Sequence, residues 1–246
     1  MATTTRNPAL RRADFSHVHE AADGAVMTLA GTMRKTFILL AIMSAAMFYV
    51  WQGMPGIGFS PQMMYGLFIV GFVLGVGILL YTARDPGVAR ITGPIYAAVQ
   101  GLVLGALTLM VAQRYPGLPK QAAVLTVATL GVMFLAYRTG AIKVTERFKT
   151  IVVSCTLAIF AFYIIAFVAS LFGVLIPMLH EGGVIGIGFS IFVTALAAFN
   201  LLLDFDFIEN NVGHAPESIE WYAAFALVVT LIWLYTEILR LLRKVR

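Results

Sequence analysis

The chain has 246 residues, 60% of them hydrophobic and 12% charged, whereas soluble domains carry about 25% charged residues. That deficit leaves too little polar surface to cover a soluble fold of this length, which excludes a water-soluble enzyme. The formal charge of +5 sits in short basic clusters between apolar runs, a pattern that marks membrane topology and gives no reason to expect a nucleic-acid partner.

Residues 1–31 make a polar tail with Arg6, Arg11, Arg12, His17 and His19 among its side chains. The tail has neither the early apolar stretch nor the small-residue cleavage site of a secretory signal, so it is expected to stay in the cytoplasm. Residues 32–246 are expected to form an all-α integral membrane domain. A helix needs roughly 20 apolar residues to cross the hydrocarbon core. Thr36 to Ala83 contains no Asp, Glu, Lys or Arg, and Pro55, Gly56, Gly58 and Pro61 split it into spans one and two. Ile91 to Gln113 gives the third span, Gln121 to Tyr137 a shorter fourth, and Thr150 to about Ile176, before Pro177, the fifth. Gly182 to Leu203 begins the sixth, which runs on into LDFDFIEN, and Trp221 to about Leu242 gives the seventh. The string IGFS occurs at 57–60 and at 187–190, too short a match to establish duplication. The lone Cys155 lies in an apolar run, so it allows no intrachain disulfide and no cysteine-based metal site, and is read as a packing residue.

With the amino terminus inside, the inner loops hold Arg84 and Arg90, then Arg138, Lys143, Arg147 and Lys149, while the first outer loop is uncharged. One feature opposes this orientation. An odd number of spans places the basic end Arg240, Arg243, Lys244 and Arg246 outside.

Ionisable groups inside a span are costly unless paired or hydrated, so each is a site candidate. Asp204 shares a helical face with Asn200 before it and Asn211 after it, while Asp206 is rotated by about 200° and points elsewhere. Glu237 shares a face with Thr230 and Trp233. The competing structural readings are a solvated helix end for Asp204, Asp206 and Glu209, and an ion pair with Arg240 or headgroup depth for Glu237. Thr156, Tyr163 and Ser170 form a spaced stripe on the fifth span, of the kind that glues helices together. Gln100 and His180 are read as structural or interfacial. No enzymatic activity and no cofactor are expected. The histidines lack metal-ligand spacing, and no nucleophile elbow or phosphate-binding loop occurs.

The segments PIYAAVQGLVLGA, YRTGAIKVTERFK, NLLLDFDFIEN and WLYTEILRLL resemble the Bax inhibitor family, most of all its bacterial branch, from about Gly31 onward. The resemblance implies a seven-helix bundle with the last helix central, and a pH-sensitive calcium leak across the membrane. It also implies a proton shared between carboxylates of helices six and seven, and an arginine at the end of helix two that latches one of them. The family's Asp-x-x-x-Ile pattern falls on Asp204 and Ile208, and its Leu-Tyr-x-acid-Ile pattern on Leu234, Tyr235, Glu237 and Ile238. By position the latch is Arg84. Where the family often has Glu in helix three, this chain has Gln100.

Two carboxyl groups in hydrogen-bond reach at low dielectric cannot both ionise easily, so such a pair would hold one proton and, once ionised, offer hard oxygen ligands suited to calcium. The expectation is a proton-modulated calcium or cation leak in a bacterial inner membrane, with Asp204, Glu237, Arg84, Asp206, Asn200 and Gln100 on the proton or ion path, and Asp204 and Glu237 as calcium ligands. Depth bears on this. Glu237 lies roughly 25 Å along an ideal helix from Trp221, so meeting Asp204 requires helix six to extend or helix seven to start late. Two alternatives stand beside the leak: a regulator of a membrane-bound protease that acts through the tail, and a proton-coupled transporter.

Overall fold

The computed structural model describes residues 25–52, 61–173 and 183–246. Most of the polar tail, the Pro55, Gly56 and Gly58 break with the first IGFS string, and Pro177 and His180 lie outside the described residues. Among the described residues there are seven long helices: α1 (Leu29–Trp51), α2 (Pro61–Arg84), α3 (Ala89–Arg114), α4 (Leu118–Arg138), α5 (Glu146–Leu171), α6 (Val184–Asn211) and α7 (Ile219–Val245). Each is long and apolar enough to cross a membrane. Lipid offers no hydrogen-bond partners, so a spanning segment must satisfy its backbone internally, and the helix does so residue by residue. The protein is an all-α integral membrane protein in contact with the bilayer.

Local chemistry sets the helix ends. Thr28 caps α1, its hydroxyl accepting from Gly31 N at 3.0 Å, and Thr145 caps α5 by accepting from Phe148 N at 3.2 Å. α1 therefore starts at Leu29 rather than at Thr36, and takes Arg34 and Lys35 into the helix. Between α2 and α3, Asp85 accepts from Gly87 N at 3.0 Å and holds a single 3-10 turn, Pro86–Val88. α6 continues unbroken through LDFDFIEN to Asn211, the extension the sequence called for.

The described residues gather into two compact units, those within Met1–Leu109 with Asn210–Ala226 and those within Met110–Glu209 with Leu227–Arg246, and the division passes through α3, α6 and α7. In the first unit the chain entering α1 pairs with the α6–α7 connection. Met27 N donates to Ala215 O at 2.8 Å, Gly213 N to Met27 O at 2.8 Å and Glu217 N to Ala25 O at 3.1 Å, an antiparallel seam around Val26 and Pro216. The start of α1 and the start of α7 thus lie on one face, as an even number of crossings between them requires. α1 and α3 pack closely at Gly101 and Gly105, a small-xxx-small pair. A Cβ on Gly101 would run into the Met43 carbonyl and sit 2.8 Å from Ala46 Cβ, and one on Gly105 would sit 2.9 Å from Val50 Cβ. Thr82 of α2 donates to the Thr92 hydroxyl of α3 at 2.7 Å.

In the second unit, Val152 and Ile159 of α5 and Val193 and Leu196 of α6 are buried together, and Tyr163, Cys155, Phe199 and the α7 residue Trp233 pack against them. Phe148 meets Phe199 edge-on at 5.7 Å and Phe162 meets Phe189 at 5.5 Å. The last helix is the most enclosed of the seven, with 56% of its apolar window buried against at most 44% for any other.

Candidate functional site

The two acids singled out in the sequence both lie in the second unit, one on each of the last two helices. The Thr230 hydroxyl of α7 donates to the Asp204 carboxyl group. The other oxygen of Asp204, Oδ2, is enclosed and takes no hydrogen bond among the described residues. Glu237, only 1% exposed, lies two turns further along α7, about 10 Å beyond Thr230 along the axis. Its carboxylate is fully engaged. Tyr163 OH of α5 donates to Oε1 at 2.9 Å, Arg240 NH1 lies 3.0 Å from both Oε1 and Oε2, and the Trp233 indole N–H donates as well. Arg240 also donates to the Tyr163 oxygen and stacks over its ring at 4.9 Å from the centroid. No hydrogen bond joins Asp204 to Glu237 among the described residues. The extension of α6 brings Asp204 level with Thr230 rather than with Glu237.

The remaining polar residues of these helices have partners of their own. Asn200 Nδ2 donates to Thr156 Oγ1 at 2.8 Å and to Leu196 O at 2.9 Å, so the α5 stripe serves as helix glue at this turn. Asp206 faces away from Asp204 and pairs with Lys149 of α5 at 2.7 Å, while Lys149 also reaches Glu146 at 3.1 Å. Tyr137 donates to Glu209. Ser170 donates to Phe167 O at 2.6 Å. Near the end of α7, Lys244 is buried with its Nζ on Gly186 O at 3.0 Å.

In the first unit, Gln100 lies against Gly75 of α2, where a Cβ would overlap its amide. Arg84 is exposed in the last turn of α2. The same unit holds a cluster that the sequence reading missed. Lys35 of α1, 5% exposed, donates to Glu220 Oε2 at 2.6 Å and to Glu217 Oε1 at 3.1 Å. Glu220, 1% exposed, also accepts from Thr28 N at 2.7 Å and Thr28 Oγ1 at 2.9 Å. Lys35 lies 5.7 Å over the Trp221 ring. Glu220 is seated directly on Gly31, where any side chain would displace it. The signal was in the topology. Spans one and seven begin on the same face, so a cation opening one and an acid opening the other fall at equal depth.

Chemically, Asp204 offers one oxygen free to take a proton or a hard cation, whereas Glu237 is already neutralised by a guanidinium. Among the described residues no three His, Cys, Asp or Glu side chains converge. A calcium ion at Asp204 or Glu237 would therefore draw its other ligands from hydroxyl, amide and carbonyl oxygens.

A family profile described as Bax inhibitor 1 like matches residues 7–246. The chain belongs to the Bax inhibitor family. No curated protein and no solved structure matches it. For a Bax inhibitor family member, the points to explain are therefore the separate partners of the two acids, the Thr230 hydroxyl at Asp204 and the Arg240 guanidinium at Glu237.

Proposed function

We propose that this Bax inhibitor family protein is a passive, pH-sensitive leak for calcium or a similar cation, with no enzymatic role, in a bacterial inner membrane with its amino terminus in the cytoplasm. The observation that carries the reading is the enclosed Asp204 oxygen without a hydrogen bond among the described residues, because an acid within a span that is only half satisfied is expensive unless a proton or an ion uses the remaining oxygen. Glu237 serves as a second, separate acid station further along α7. An ion or proton passing along α7 meets Asp204 and Thr230 at one level and the Glu237 cluster at the other. Family membership supports the same class of activity.

Purified protein in liposomes loaded with a calcium dye tests this. Asp204→Asn and Glu237→Gln should each change the flux by about tenfold at the pH where wild type responds most steeply, the effect of losing one charge-assisted interaction. Absence of flux at every pH would rule the leak out, and wild-type flux in both variants would remove Asp204 and Glu237 from its path.

The seam supports a second reading, a regulator of a membrane-bound protease. It fixes residues 25–27, the base of the tail, against the α6–α7 connection, so a protein that binds the tail would sit at the opening of α7. Removing residues 1–24 should then abolish the effect on the partner and leave ion flux intact.

A further inference from the structure

We infer that α7 carries its own latch: Arg240 is the cation that holds Glu237, and Tyr163 of α5 closes over both. The inference rests on the leak reading for its functional meaning, but its geometry stands apart from that reading. Arg240 follows Glu237 by one turn, and NH1 reaches both carboxylate oxygens at 3.0 Å. Tyr163 joins the pair from another helix, donating to Glu237 at 2.9 Å while accepting from Arg240. Its ring lies under the guanidinium at 4.9 Å.

Among the described residues, few other ionisable groups face Glu237. From α5 there is Tyr163, and from α7 there are Arg240 and Lys244, the latter with its Nζ on the Gly186 carbonyl at 3.0 Å. From α6, Asp204 takes its hydrogen bond from Thr230 instead. An ion pair within one helix does not break when helices move apart, so the bond that reports movement is the one to Tyr163. The positioning roles are therefore distinct. Arg240 keeps Glu237 as a carboxylate, and Tyr163 ties that carboxylate to α5.

Infrared difference spectroscopy on the purified full chain, with the Glu237 band assigned by its loss in Glu237→Gln, reads the first role without any flux. Wild type and Arg240→Lys should show Glu237 as a carboxylate at neutral pH, and Arg240→Gln should show a protonated acid band there. A protonated band in wild type at neutral pH, or none in a folded Arg240→Gln, overturns the inference. Tyr163→Phe keeps the ring and tests the second role. Its flux at the pH where wild type is most closed should rise about tenfold, the factor for one charge-assisted hydrogen bond, whereas Arg84→Gln should follow wild type. If Arg84→Gln reproduces the rise and Tyr163→Phe does not, the latch lies on α2 and the inference fails. Wild-type liposomes that conduct nothing would reject the leak reading alone, because the infrared result still decides the latch.

Discussion

Replacing Lys35 with methionine should destabilise the protein by about 3–5 kcal/mol, the range for removing one partner of a buried ion pair. The pair is enclosed on both sides, with Lys35 5% and Glu220 1% exposed, so in Lys35→Met the Glu220 carboxylate would keep only its two Thr28 donors. Glu217 gives the contrast. Its side chain is 48% exposed, and Glu217→Gln should cost no more than about 1 kcal/mol, as exposed pairs do. The double variant Lys35→Met, Glu220→Met should recover most of the loss, because it removes both charges and leaves apolar groups of similar size. Helicity followed through a denaturant titration in micelles measures all three. A Lys35→Met protein as stable as wild type would mean that the charges are hydrated rather than paired.

The second large effect is expected where α1 and α3 touch. Gly101→Ala puts a methyl group against the Met43 carbonyl and 2.8 Å from Ala46 Cβ, and backbone cannot rotate away as a side chain does. Overpacking of this kind costs about 1–3 kcal/mol. Gly131 of α4 is the internal control, since a Cβ there meets nothing within 4 Å. Gly131→Ala should stabilise by roughly 0.5–1 kcal/mol through helix propensity alone. Opposite signs for the same chemical change at two helical glycines would locate the close contact. Equal signs would remove it.

The helices were legible in the sequence because lipid imposes a single rule, unbroken apolar length between charges, and every expected span reappears as a helix. The start of α1 was misplaced for a related reason. Lys35 falls between the polar tail and the first charge-free run, and is left outside span one if charge is taken to mean solvent, whereas in the fold its charge is balanced by an acid brought from the far end of the chain. The face shared by Glu237 and Trp233 was legible from helical spacing, and so was the opposite heading of Asp206. The depth at which two helices face each other was not, because it depends on where both begin, and Asp204 meets Thr230 in consequence. The Gly101 and Gly105 contact also went unread, since a small residue shows closeness only when its neighbour is known.

The basic carboxyl terminus becomes less anomalous in the light of its contacts. Arg240 is spent on Glu237 and Tyr163, and Lys244 is buried on the Gly186 carbonyl. Arg243 and Arg246 are the exposed members of that cluster, and Lys244 keeps its charge on a neutral carbonyl, so pairing with an acid removes only Arg240 from the count. α7 is a 27-residue helix, about 40 Å long, enough to cross the hydrocarbon core by length.

The Lys35 clamp also sets a clock on synthesis. Lys35 and Glu220 are 185 residues apart, and at about 5–20 residues per second the acid emerges from the ribosome about 10–40 s after the lysine. For that interval α1 carries an ammonium without its Glu220 partner, and a helix in that condition holds its charge at the interface by extending the side chain toward water. The first helix made can settle to its final depth only when the last has begun, so a nascent chain halted before α7 should leave Lys35 open to water-soluble amine reagents that the finished protein excludes.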